Sequence, residues 1–164
     1  MATTNLSHYD KESIPNAAGL RFGIVVSEWN EKITEGLYKG AHETLIENGV
    51  SPEDIIRVNV PGSFELTYGS KLLADTTDVD GIIALGSVIQ GETKHFDFVC
   101  QGISNGITQL NIDLDIPVIF GVLTDNTIQQ AIDRSGGKLG NKGVECAIAA
   151  IKMASINQIL RAED

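Results

Sequence analysis

Cysteine is scarce in this chain. Cys100 and Cys146 are the only two, and they form no CxxC pair. They offer neither a disulfide framework nor a thiolate zinc site. Positive charge is also short, with 12 Lys and Arg against 22 Asp and Glu and a formal net charge of −10. An acidic chain of this kind is a poor partner for nucleic acid or an anionic membrane surface, so neither is expected. No apolar run approaches the roughly 18 residues of a membrane span. The opening "MATTNLSHYDKES" has no apolar segment of the signal-peptide type. A cytoplasmic protein with free thiols is the expectation. Several catalytic motifs are missing too. No two glycines are separated by a single residue, so there is no GxGxxG, and GxxxxGK[ST] and HxxxH are absent. The one GxSxG, Gly102–Gly106, falls inside an expected helix rather than at the strand-to-helix turn a nucleophile elbow needs. Dinucleotide, Walker-type and hydrolase-elbow readings lose their support, and no Cys/His/Asp cluster suggests a metal.

What the chain does contain is a regular alternation. Its 164 residues, 42% of them hydrophobic, suit one domain with a real core. Residues 1–20 show no periodicity and are broken by Pro15 and Gly19, which marks them as an arm, loose or pinned on a neighbour. The domain proper is read as 21–164. Strands are expected at Arg21–Val26, Ile55–Val60, Gly81–Ile89 and Ile116–Leu123. Helices are expected at about Glu31–Asn48, Ser63–Ala74, Phe96–Asp113, Thr127–Arg134 and Val144–Arg161, with "SGGKLGNKG" as a glycine-rich link. The first helix carries Ile33, Leu37, Ala41 and Leu45 on one face, Gly49 supplies its stop, and His42 falls off that stripe toward solvent. The strands are near-continuous apolar runs, which means burial on both faces: a parallel sheet between two layers of helices.

Two helices carry more apolar or uncharged surface than a lone domain needs. The last has one stripe through Val144, Ile148, Ile151 and Ile159 and a second through Cys146, Ala149, Met153, Ile156 and Leu160. The third has a polar face of Ser104, Asn105, Thr108, Gln109 and Asn111 without a charge. Contact with other subunits accounts for both; a densely packed monomer core is the competing explanation.

In an open parallel sheet, ligands bind beyond the carboxyl ends of the strands. Trp29 follows the first strand within "SEWN", "PGSFEL" with Phe64 and Glu65 follows the second, and "GSVIQGETKH" with His95 closes the third. Phe120, in "VIFG", belongs to the fourth, and topology puts all four on one rim. An aromatic among polar neighbours suits stacking on a flat ring. Gly91, Glu92 and Thr93 precede a helix whose first N–H groups can hold an anion. His95, beside them, belongs to the residue type that exchanges protons near neutral pH. Each signal alone has an ordinary alternative, a core tryptophan or a surface histidine; their convergence is more specific. Residues 95–133 contain no Lys or Arg, after which Arg134, Lys138 and Lys142 arrive together, either as an anion site or as a solvated loop.

The stretches "GIVVSEWN", "VPGSFEL", "GSVIQGETKHFDFV", "PVIFGVLT" and "GGKLGNKG" together resemble the 6,7-dimethyl-8-ribityllumazine synthase family, from about residue 15 to the C-terminus. The resemblance implies a transferase of riboflavin biosynthesis, without metal or cofactor. It would condense 5-amino-6-(D-ribitylamino)uracil with 3,4-dihydroxy-2-butanone 4-phosphate. It implies that Trp29 stacks on the pyrimidine, in a place where many members have Phe. Ser63, Phe64 and Glu65 would bind the pyrimidine and its ribityl chain, with main-chain help from Ser87, Val88 and Ile89. Glu92 and Thr93 would hold the phosphate through backbone N–H groups, Arg134 would complete that site with Lys142 close by, and Phe120 and Arg134 would come from the adjacent subunit. His95 would be the acid/base. Glu92 and Lys94 depart from the commonest form, and an inward Glu92 carboxylate would oppose phosphate.

The implied fold is a three-layer α/β/α unit, flavodoxin-like, with a four-stranded parallel sheet and an N-terminal arm adding to a neighbouring subunit. The implied assembly is a homopentamer, with the short "GGKLGN" link resembling members whose pentamers close into an icosahedral shell; a riboflavin synthase is a candidate partner. Two alternatives remain at this point: a related riboflavin synthase of similar fold, and a flavodoxin-like module that only holds a flavin or nucleotide.

Overall fold

A computed structural model describes residues 5–162. Strands β1 (Phe22–Ser27), β2 (Ile55–Val60), β3 (Gly81–Ile89) and β4 (Val118–Asp125) form one parallel sheet in the order β2-β1-β3-β4. Helices α1 (Glu31–Glu47), α2 (Leu66–Thr76), α3 (His95–Asp113), α4 (Ile128–Arg134) and α5 (Lys142–Arg161) complete the alternation. Side chains alternate across the pleat, and the core divides accordingly. Phe22, Ile24 and Val26 of β1, with Ile83 and Leu85 of β3, meet Ile33, Leu37, Ala41 and Leu45 of α1 and Cys146, Ala147, Ala150 and Ile151 of α5. Val25, Ile82 and Ala84 face the other way, toward Leu66 and Leu73 of α2 and Ile103, Ile107 and Leu110 of α3. The result is the expected three-layer unit.

β2 and β3 begin and end where the apolar runs do. β4 does not. Pro117 has no N–H to give a ladder, so the strand starts at Val118. It then continues through Thr124 and Asp125, because β3 supplies Val88 and Ile89 as partners. Ser63–Glu65 is a 3₁₀ turn leading into α2. α1 stops at Gly49, whose φ of 105° closes the helix end while Val50 donates back to the Leu45 carbonyl. His42 is only half exposed, its ring 5.4 Å from that of Tyr38.

The glycine-rich link is not a plain loop. Ser135–Gly137 (β5) and Gly140–Asn141 (β6) form an antiparallel hairpin, with Gly136 and Gly140 at positive φ. It lies on α1, where the Asn141 side chain donates to the Gly36 carbonyl at 2.9 Å and caps α5 by accepting from the Gly143 N–H. Residues 5–20 lie along their own chain. Leu6 donates to the Leu139 carbonyl, and the Ser7 hydroxyl donates to that of Asn141, while Ala17 and Leu20 enter the core. Residues 1–4 fall outside the described part.

α5 buries Gly143, Cys146, Ala147, Ala150, Ile151 and Ala154. By length and composition alone it is apolar enough to cross a membrane, but it carries Glu145 and Lys152, holds no continuous apolar run of that length, and its small residues pack on α1 and the sheet. Neither expected stripe is buried along its length: Ile151 of the first and Cys146 of the second are in the core, whereas Ile159 of the first and Met153, Ile156 and Leu160 of the second are exposed.

Candidate active site

The carboxyl ends of β1, β2 and β3 open on a cleft of about 550 Å³, a size suited to a small organic ligand. The loop after β1 is stitched to the end of β2: Glu28 donates to the Val60 carbonyl and Trp29 to that of Pro61. Trp29 then stands with 68% of its surface exposed, its ring edge resting on Gly62. Asn30 turns the chain into α1 through a left-handed backbone. From the β2 end, Gly62 lets the indole approach, and the Glu65 carboxylate accepts the Gly62 N–H at 2.9 Å through Oε2. That leaves Oε1 as the carboxylate oxygen not used by this bond. Phe64 leans on Gly102 of α3. From β3, Ser87, Val88 and Ile89 form the floor. Ser87 is 4% exposed, and its hydroxyl has no partner. An orphaned buried hydroxyl is a group that a ligand can satisfy.

His95 opens α3 at the mouth of the cleft, exposed, with its backbone N–H 3.4 Å from the Thr93 hydroxyl. Its neighbours on the same helical face, Phe98 and Val99, also line the cleft, as does Asn30. Sequence reasoning did not place Phe98 or Asn30 there, and it used Val99 only as part of a core stripe. The signal was present for Phe98, three residues after His95 and thus on the same side of the helix.

Eight of the thirteen expected site residues therefore meet: Trp29, Ser63, Phe64, Glu65, Ser87, Val88, Ile89 and His95. Five do not line the cleft. Glu92 and Thr93 are exposed in the turn before α3. Phe120 is not on the rim: β4 runs on to Asp125, so Phe120 sits mid-strand beside Ala84, over a shallow groove with Ser104, Thr108 and Asn111 of α3. Arg134 ends α4 and is held inside its own chain, donating to the Leu139 carbonyl at 2.9 Å and to Glu145 at 2.5 Å. Lys142 joins the same carboxylate at 3.1 Å.

Burial pushes the Glu145 carboxyl up, but the hydrogen bonds from Arg134 and Lys142 outweigh it and hold the group below the usual carboxylate range. Asp125, at the β4 end, is shifted the other way by burial, against a weaker pull from Arg134, and its Oδ2 is buried without a partner. Burial pushes the Cys146 thiol up to about 12, which makes it an inert core group. Among the described residues, no group of three or more His, Cys, Asp and Glu is placed to hold a metal ion.

The arrangement belongs to a class, open α/β domains with a cleft beyond the strand ends, here lined by an indole, a buried hydroxyl, a carboxylate and an imidazole. Comparison with known proteins narrows it. Residues 19–158 match the family model described as 6,7-dimethyl-8-ribityllumazine synthase. The protein of that name from Flavobacterium johnsoniae is 66% identical over 160 residues, covering 96% of this chain and 84% of the relative. Its namesake from Christiangramia forsetii is 64% identical over 161 residues, covering 96% of each. The one from Porphyromonas gingivalis is 57% identical, covering 97% of this chain and all of the relative. The chain belongs to the 6,7-dimethyl-8-ribityllumazine synthase family.

Proposed function

We propose that the cleft is the pyrimidine half of a two-substrate site. The protein is a transferase of riboflavin biosynthesis. It condenses 5-amino-6-(D-ribitylamino)uracil with 3,4-dihydroxy-2-butanone 4-phosphate, releasing phosphate and water. Family membership does not favour the riboflavin synthase or flavin-module alternatives. The observation that carries the site reading is the convergence of Trp29, Ser87, Glu65 and His95 on one cleft.

In this reading Trp29 stacks on the pyrimidine. Ser63, Phe64, Glu65, Ser87, Val88 and Ile89 bind its polar edge and ribityl chain. The phosphate lies at the start of α3, against the main chain of Glu92 and Thr93, with both side chains turned out. The substrate amine attacks the ketone, an imine forms, phosphate leaves and the ring closes. His95 stands where it can move protons between these atoms. Much of the barrier is the encounter of two dilute reactants, and alignment can supply on the order of 7 to 11 kcal/mol.

Arg134, Lys142 and Phe120 do not reach this cleft within one chain, which supports their delivery by an adjacent subunit. The exposed Phe98, Ile112 and Tyr68, and the outward stripe of α5, support a homopentamer and its packing into a shell. The free cysteines suit a cytoplasmic setting. A riboflavin synthase as partner and the division into arm 1–20 and domain 21–164 belong to the same proposal.

The test is to mix the two substrates with the protein and follow lumazine absorbance with phosphate release. Turnover of the pair supports the assignment; bound flavin without turnover would refute it. Sedimentation measures the assembly, and a monomer active at assay concentration would remove the cross-subunit part.

A further inference from the structure

Among the described residues, Asn30 is the one non-glycine with a positive φ, at φ 61° and ψ 43°. Asparagine accepts this backbone better than most side chains, yet glycine would adopt it more readily. A reason to keep a side chain here is visible. Asn30 precedes α1, whose first turn bonds to its backbone carbonyl through the Ile33 and Thr34 N–H groups. A side chain in this place commonly accepts from the N–H of the second or third helical residue, here Lys32 or Ile33; that of Asn30 makes no such bond. It points the other way and donates through Nδ2 to the Ser87 carbonyl at 2.9 Å. Ser87 is where β3 enters the cleft floor.

Asn30 is thus a strut between two walls. On one side is Trp29, its chain neighbour, lying against Gly62. On the other is the β3 end, with Ser87, Val88 and Ile89. The remaining ties of the Trp29 loop, from Glu28 to Val60 and from Trp29 to Pro61, fasten it to β2 alone. Asn30 makes the side-chain link to β3.

We propose that Asn30 is a positioning residue: its bond to the Ser87 carbonyl sets the height and tilt of the Trp29 indole above the β3 floor, and so the width of the slot that receives the flat ring. This deepens the assignment of the cleft as the pyrimidine site and rests on it. Asn30 need not touch the reacting atoms to act in this way.

Two substitutions separate the strut from the turn. Asn30→Gly keeps the left-handed backbone and removes the donor. Asn30→Asp keeps shape and size and replaces the amide donor by an acceptor facing a carbonyl. Trp29 is the sole tryptophan, so protein fluorescence reads the indole directly, without substrate. Both variants are expected to fold and to show a shifted emission with at least about twofold greater acrylamide quenching. KM for the aminopyrimidine should rise about tenfold, with kcat changed less than about threefold, since uniform binding is what is lost. KM for the phosphate substrate should hold.

Unchanged fluorescence in both folded variants would overturn the proposal, leaving Asn30 as a turn residue only. Altered fluorescence with unaltered KM would overturn it as well, since slot width would then not govern binding. Titration of the native protein with the aminopyrimidine alone is the separate check on the cleft. If Trp29 emission fails to respond, the site assignment falls and takes the proposal with it, whatever the unliganded variants show.

Discussion

The edge of the Trp29 indole rests on the backbone of Gly62: a methyl group there would stand 2.5 Å from Cε3 and 2.6 Å from Cζ3. The same methyl would lie 3.0 Å from Oε2 of Glu65, which is bonded to the Gly62 N–H. Gly62→Ala should therefore lift the indole rather than unfold the chain, because Trp29 is exposed and free to move. The expected outcome is a shifted tryptophan emission and a KM for the aminopyrimidine raised about tenfold. Thermal unfolding should move by less than about 4 °C, the equivalent of about 1 kcal/mol or less. Calorimetry and steady-state kinetics on one preparation check both.

His95→Ala should slow turnover by about 10²-fold and leave measurable activity, the usual share of one well-placed acid/base. Alignment of the two substrates survives the change. Complete loss of turnover in a folded, assembled variant would mean that His95 does more than carry protons.

Arg134 is tied to Glu145 in its own chain and absent from its own cleft. Arg134→Ala should raise KM for the phosphate substrate more than for the pyrimidine. Co-expressing Arg134→Ala with His95→Ala subunits provides the sharper measurement. If each site draws the two residues from different subunits, about a quarter of the sites in an equal mixture hold both native residues, and activity recovers accordingly. No recovery over the separate variants would mean that both residues serve one chain's own site.

The two displaced carboxyls should respond oppositely to acid. The folded pKa of Glu145 is lowered, with the hydrogen bonds from Arg134 and Lys142 outweighing the upward push of burial. Its stabilising contribution is present above the unfolded value near 4.5 and is lost as pH falls through the lower folded value. Glu145→Gln should cost about 1 to 2 kcal/mol at neutral pH, and less in strong acid. Asp125 is raised, mainly by burial, so its ionised form is the disfavoured one in the fold. That penalty is present at neutral pH and vanishes below the unfolded value near 3.8. Asp125→Asn should raise the melting temperature at pH 7 and give no gain in strong acid. Unfolding curves across pH for both variants test the two signs.

Burial patterning made much of the architecture legible. Ile33, Leu37, Ala41 and Leu45 are spaced for one helical face and are all in the core. The runs Ile55–Val60 and Gly81–Ile89 end where their strands end. Apolar pattern failed where hydrogen bonding decides instead. Thr124 and Asp125 are strand residues because β3 offers them partners, and this displaced Phe120 from the rim. The β5–β6 hairpin depends on two glycines at positive φ and on the close approach of Gly36 to Ser135 and Gly40 to Asn141, none of which has a periodic signature. Asn30 reads locally as the start of a helix; its bond to Ser87 spans 57 positions.

Ser7 has a consequence for anyone who handles this protein. Its hydroxyl lies 2.8 Å from the Asn141 carbonyl and 3.3 Å from Oε1 of Glu145, the oxygen that also receives Arg134. One acceptor atom thus connects the front of the polypeptide to a guanidinium more than a hundred positions away. An affinity tag or fused cargo that drags Ser7 off its seat alters the company that guanidinium keeps, and tagged and untagged preparations would then differ in phosphate handling with no residue of the cleft touched.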